Sequence, residues 1–103
     1  MKRELNMQVT VAKLSLSLED THSLKAKRNI IRSLIRKVKS KHNVSISEVG
    51  FNDDFKTSVL GISYVSNSAS NNIKLTNDVL DFIDFLSDGF MVIDTQIETI
   101  TGF

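Results

Sequence analysis

Val9-Thr10-Val11-Ala12-Lys13-Leu14-Ser15-Leu16-Ser17-Leu18 carries apolar side chains at both odd and even positions. A strand with apolar residues on both faces suits the interior of a sheet. Thr57-Ser58-Val59-Leu60-Gly61-Ile62-Ser63-Tyr64-Val65 repeats the pattern, with Val59 and Val65 set against Leu60, Ile62 and Tyr64, so it reads as a second central strand. Two other stretches alternate more strictly. Val44 to about Phe51 sets Val44 and Ile46 against serines, and Phe90 to Ile100 sets Met91, Ile93, Thr95 and Ile97 against Asp94, Gln96 and Glu98. One polar row per strand marks these two as sheet edges.

The segments between the strands have helical spacing. Ser23 offers an N-cap for a run to about His42 in which Leu24, Ile31, Leu34, Ile35 and Val38 share one side, with Ile30 at its margin. The polar run Ser66 to Asn72 leads into a second helix to about Ser87, with Ile73, Val79, Leu80, Ile83 and Leu86 inward and Asp88-Gly89 ending it. The order is therefore βαββαβ, an α+β chain. Central strands at first and third place and edges at second and fourth give an antiparallel sheet of order 4-1-3-2, the ferredoxin-like or split βαβ sandwich. Right-handed crossovers put both helices on one face.

Composition bounds the function. With 103 residues, 41% hydrophobic and 24% charged, the chain is of a size for one domain with its own core. A net charge of +1 gives no global field to announce a nucleic acid or a membrane, so any such partner has to be met by local clustering. The absence of cysteine removes disulfides, thiol nucleophiles and cysteine metal sites. Met1 to Gln8 hold two basic residues with no apolar run behind them, and no segment has spanning length. The expected setting is the cytoplasm, with no membrane partner.

The most specific string is His22-Ser23-Leu24-Lys25-Ala26-Lys27-Arg28, which resembles the HSLKxKR segment of the small bacterial YlxP-like family. Asn43-Val44-Ser45-Ile46-Ser47-Glu48-Val49-Gly50 and Val65-Ser66-Asn67-Ser68 continue the resemblance from about Met7 onward. It implies a ferredoxin-like fold over residues 7–103, with residues 1–6 as an N-terminal extension, and a bacterial protein of unknown function whose gene often neighbours those of translation initiation and ribosome assembly factors. It implies no enzyme and no catalytic residue. Asn52-Asp53-Asp54-Phe55 stands near a position that the family more often fills with tryptophan.

Charge is segregated along the chain. Between Lys25 and Lys41 there are eight basic residues and no acidic one, whereas Asp78, Asp81, Asp84, Asp88, Asp94 and Glu98 follow Lys74 with no base. On a helical wheel Lys25, Arg28, Arg32, Arg36 and Lys39 form a stripe beside the apolar face, which a phosphate backbone could follow. The alternatives are a solvated face partly neutralised by Asp81 and Asp84, or a protein partner. Lys27 breaks the pattern, since it projects between Leu34 and Val38 and must snorkel, face solvent, hold a ligand or find an anion. The first helix begins at the end of the sheet where the second strand finishes, and Glu48 shares the inward side with Val44 and Ile46. A Lys27–Glu48 ion pair is the expected solution.

Other constellations read as structure. Asp20, Thr21 and Ser23 suit a helix start better than His22 and Ser23 suit a nucleophile and its base. Asp53-Asp54 lacks the oxygen spacing of a calcium loop, and no metal site or cofactor is expected. The same fold hosts acylphosphatases, with a glycine-containing phosphate loop after the first strand, but Glu19-Asp20-Thr21-His22-Ser23 has two carboxylates and no glycine. It also hosts RNA recognition motifs with aromatic residues on the open sheet face, where this chain has Lys13, Ser15, Ser17, Gly61 and Ser63. The expectation is a non-enzymatic binding protein without a small-molecule substrate, touching RNA or the ribosome through its basic helix. The alternatives are a self-associating scaffold, protein-interaction domain or homodimer, formed through an edge strand or an open sheet face carrying Val49, Phe51 and Val59, and, behind it, a small enzyme.

Overall fold

The computed structural model describes residues 5–101, so most of the expected N-terminal extension lies outside the described residues. Six elements follow in order: β1 (Gln8–Ser17), α1 (Leu24–Lys41), β2 (Ser45–Gly50), β3 (Thr57–Ser66), α2 (Ala69–Leu86) and β4 (Met91–Ile100). The sheet runs β2-β3-β1-β4 with every pair antiparallel, which is the 4-1-3-2 order read from the opposite edge.

Register explains the doubled periodicity of β1 and β3. Leu14 pairs with Leu60, Ala12 with Ile62 and Thr10 with Tyr64, and Ile46 of β2 extends the row by pairing with Ile62. This row, with Leu16 and Leu18, is buried beneath the helices. α1 adds Ile31, Leu34 and Val38 to it, and α2 adds Val79 and Ile83. Each such side chain contributes about 1.5–3 kcal/mol by leaving water. The odd positions Val11, Lys13, Ser15, Ser17, Val59, Gly61, Ser63 and Val65 point the other way, onto a half-buried to exposed face that no helix covers.

Two glycines are required by space. β2 is bulged at Val49, since Glu48 pairs with Leu60 and Gly50 with Val59. Gly61 accommodates the displaced valine, because a Cβ there would lie 3.1 Å from Val49 Cγ1. Gly89 follows α2 at φ 84° and sits so close to Ile30 that a Cβ would lie 2.9 Å from its Cδ1.

α2 and β4 depart from the sequence reading. The helix begins at Ala69, with Ser68 as N-cap accepting from Asn71 N at 3.2 Å, so part of the polar run expected to precede the helix is its first turn. Its inward stripe is Asn72, Thr76, Val79 and Ile83, and Ile73 is 63% exposed instead of inward. Asn72 goes inside because its polar atoms are satisfied there. Its Nδ2 donates to Thr10 Oγ1 (2.9 Å), its Oδ1 accepts from Ser66 Oγ (2.6 Å), and its carbonyl accepts from Tyr64 OH (2.9 Å) and Thr76 Oγ1 (2.7 Å). In β4 the apolar row of the alternation is not covered, and the register shift before Asp94 sets Met91 opposite Ser17 on the open face. Every residue of the strand except the half-buried Val92 is exposed, and α2 packs against β3 and β1 more than against β4.

Burial holds the Tyr64 phenol above its ordinary value of 10.0, against a smaller downward pull from its hydrogen bond with Thr10. The neutral form is the one favoured by folding, so the folded chain keeps this proton longer than the unfolded chain does. Stability is therefore full below pH 10.0 and declines as pH rises through the folded value. Tyr64 is the one tyrosine and there is no tryptophan, so tyrosinate absorbance reports this group alone. Titration should give a midpoint above 10.0 in folded protein and near 10.0 in denaturant; equal midpoints would refute the burial account.

Candidate nucleic-acid interface

α1 starts where Ser23 caps it, accepting from Ala26 N at 3.0 Å. With Ile31, Leu34 and Val38 turned to the sheet, Lys25, Arg28, Arg32, Arg36 and Lys39 are all exposed. At 1.5 Å per residue the ridge from Lys25 to Lys39 is about 21 Å long. Among the described residues no carboxylate lies within 4.0 Å of any of the five, so Asp81 and Asp84 do not neutralise the ridge by contact. At its far end Lys41 lies over the Phe82 ring (4.8 Å to the centroid), and His42 meets the same ring edge-on at 5.6 Å. The acids of α2 begin beside them, where Asp78 and Asp81 line a hollow with Lys41, His42 and Phe85.

Lys27 lies on the opposite side of α1 and is 0% exposed. Its Nζ is 2.9 Å from Glu48 Oε2 and donates to the carbonyls of Phe51 and Asp54. Glu48 Oε2 also accepts from the buried Ser58 Oγ at 2.6 Å. The ammonium therefore has a carboxylate and two carbonyls around it, which answers the cost of burying a charge. The two carbonyls belong to the β2–β3 turn, in which Phe51 adopts φ 58°, a left-handed conformation that a bulky residue adopts only when its surroundings impose it. Lys56 ties the same turn to the β1–α1 loop through the carbonyl of Glu19.

Sequence reasoning singled out Lys27 and Glu48, and the fold brings them together. It missed Ser58 and the turn carbonyls. Ser58 carried a signal, a hydroxyl on the buried row of β3 one inward step from Leu60; main-chain acceptors carry none. The ridge and the ion pair are separate, since they occupy opposite sides of one helix. Ser23 acts as a cap, and among the described residues no three histidine, cysteine or acidic side chains cluster as a metal site.

Residues 9–97 match the model of a family described as "Protein of unknown function (DUF503)". The chain belongs to that family. It is 42% identical over 65 residues to "Uncharacterized protein YlxP" of Bacillus subtilis (strain 168), an alignment covering 63% of this chain and 71% of that one. Among solved structures, the de novo designed protein Foldit4 superposes with a TM-score of 0.59 at 15% identity, over 95% of this chain and all of the designed one. A putative antibiotic biosynthesis monooxygenase from Nitrosomonas europaea overlaps at 0.48 and 14% identity, over 99% of this chain and 95% of its own. The designed protein supports the architecture and says nothing of activity. Family membership likewise carries no biochemical assignment. Among the described residues no helix is long and apolar enough to cross a membrane.

The chemistry of the two sides of α1 differs accordingly. The outer side offers fixed positive charge to solvent, and the inner side consumes its one charge in holding the β2–β3 turn. Replacing Lys27 by alanine should cost about 3 kcal/mol, since it strands Glu48 and two carbonyls, and Glu48→Ala roughly 1–3 kcal/mol. In denaturant melts the double variant should lose less than the sum of the single losses; strict additivity would show that the two side chains do not act as a pair.

Proposed function

We propose that this DUF503 chain is a non-enzymatic accessory binding module that holds RNA, free or within the ribosome, through the outer ridge of α1. The observation that supports this reading is a row of exposed cations, about 21 Å long, with no carboxylate against it among the described residues. Surface charges in proteins are usually interspersed with charges of opposite sign. Here the neutralising acids sit on the other helix, so the ridge keeps its attraction for a polyanion. Guanidinium groups at positions 28, 32 and 36 recur on one line, and each can grip a phosphate by two parallel hydrogen bonds. Among the described residues the strands carry no aromatic side chain on the open sheet face, where Lys13, Asp94, Gln96 and Glu98 stand among serines and valines, so binding follows backbone and shape.

Reversing Arg28, Arg32 and Arg36 together to glutamate should abolish co-sedimentation with ribosomes or structured RNA and leave the circular dichroism unchanged. With three to five phosphates neutralised, the slope of log affinity against log salt should lie between about −2 and −4.5. Asp78→Asn and Asp81→Asn should leave binding unchanged or tighten it, whereas a basic protein partner would be lost. A triple reversal that folds and still co-sediments like its parent would reduce the ridge to a solvated surface.

A further inference from the structure

The two edges of the sheet are unlike. β2 is six residues long, bulged at Val49, and lies beneath α1. β4 is ten residues long and ends the described sheet, so the backbone groups along its outer side have no partner strand there. Its one irregularity lies early, where Asp94 pairs with Ser15 and Val92 with Leu16, leaving residues 94–100 as regular strand. The helix side of that segment is open as well. Ile97 is 50% exposed and Ile73 of α2 63%, and with Thr76, Asn77 and Thr99 they line a groove of about 110 Å³ between α2 and β4. A long, regular, partly apolar edge is a template for another strand unless charges forbid it.

The charges on β4 forbid some pairings, and its irregular start disfavours another. Asp94, Gln96 and Glu98 lie on the open face, in register with Ser15, Lys13 and Val11, and β4 carries no base. In an antiparallel pair of two β4 strands, a dyad at Gln96 sets Asp94 against Glu98, and dyads at Asp94 or Glu98 set an acid against itself. A dyad at Thr95 avoids this but runs the pairing into the irregular residues before Asp94. A dyad at Ile97 sets Asp94 opposite Ile100, Gln96 opposite Glu98 and Thr95 opposite Thr99, with Ile97 meeting its own copy on the helix side. We infer that two copies of this chain join through their β4 edges in that register, forming an eight-stranded antiparallel sheet. The pairing gives the outer backbone groups of residues 94–100 their partners and lets Ile73 and Ile97 of both copies close over the two grooves. The paired edges involve neither the basic ridge nor RNA, and α1, over β2, stays at the far end of each half.

The chain has no cysteine, so a single introduced thiol reports its own neighbourhood. Sedimentation of the full chain over a range of concentrations should show a doubling of mass, and Ile97→Cys should give a disulfide-linked dimer on mild oxidation, as opposed residues of paired strands fall within bridging distance. Ile93→Cys, placed far from its own copy by this register, should remain unlinked. Ile97→Lys should keep the folded spectrum and lose the dimer. A mass that stays monomeric at all concentrations, a link through Ile93→Cys in place of Ile97→Cys, or a link through Val49→Cys on the open sheet face would each overturn the inference.

Discussion

An ammonium group with no access to water has to be surrounded by acceptors, and Lys27 obtains three from segments remote in sequence. That demand ties together the first turns of α1, the end of β2 and the turn that follows it. Glu48 must face inward to meet the lysine, which fixes the parity of β2 up to the bulge at Val49. The carbonyl of Phe51 must also point at the lysine, consistent with its left-handed backbone and with a phenyl ring that remains mostly in water. Loss of the cation would release all of these constraints together.

The helices are held to the sheet by different forces. α1 rests on aliphatic packing through Ile31, Leu34 and Val38. The first half of α2 rests on hydrogen bonds, with Asn72 joining its own turn to Thr10 of β1 and to Tyr64 and Ser66 of β3. Such a network is directional, and it tolerates loss of a member poorly because each remaining buried group is then unsatisfied. Apolar packing can relax around a missing methyl group; the Asn72 network has no equivalent adjustment.

What the sequence disclosed follows from which forces are local. Periodicity placed β1 and β3 at the centre because both faces of a central strand meet protein, and it oriented α1 because a single apolar stripe admits one solution. Lys27 stood out as a charge in that stripe, and strand order alone brought Glu48 to it. Ile73 was misread because a wheel ranks side chains by hydropathy and cannot see that Asn72 finds partners more than sixty residues away. The alternation in β4 was visible, but alternation states which residues share a face and not whether a helix reaches far enough to cover it. The basic ridge was legible in composition; that no acid of α2 pairs with it within 4.0 Å belongs to the fold.

Segregation of charge onto two helices gives the molecule an uneven charge distribution that its net charge of +1 does not reveal. Near a polyanion, a particle of this kind experiences little net pull at long range but a torque that turns its basic end forward. The turning happens before contact and weakens as salt shortens the range of the field. A nearly neutral chain can thus arrive at a charged surface already oriented, while its acidic end discourages the reversed approach.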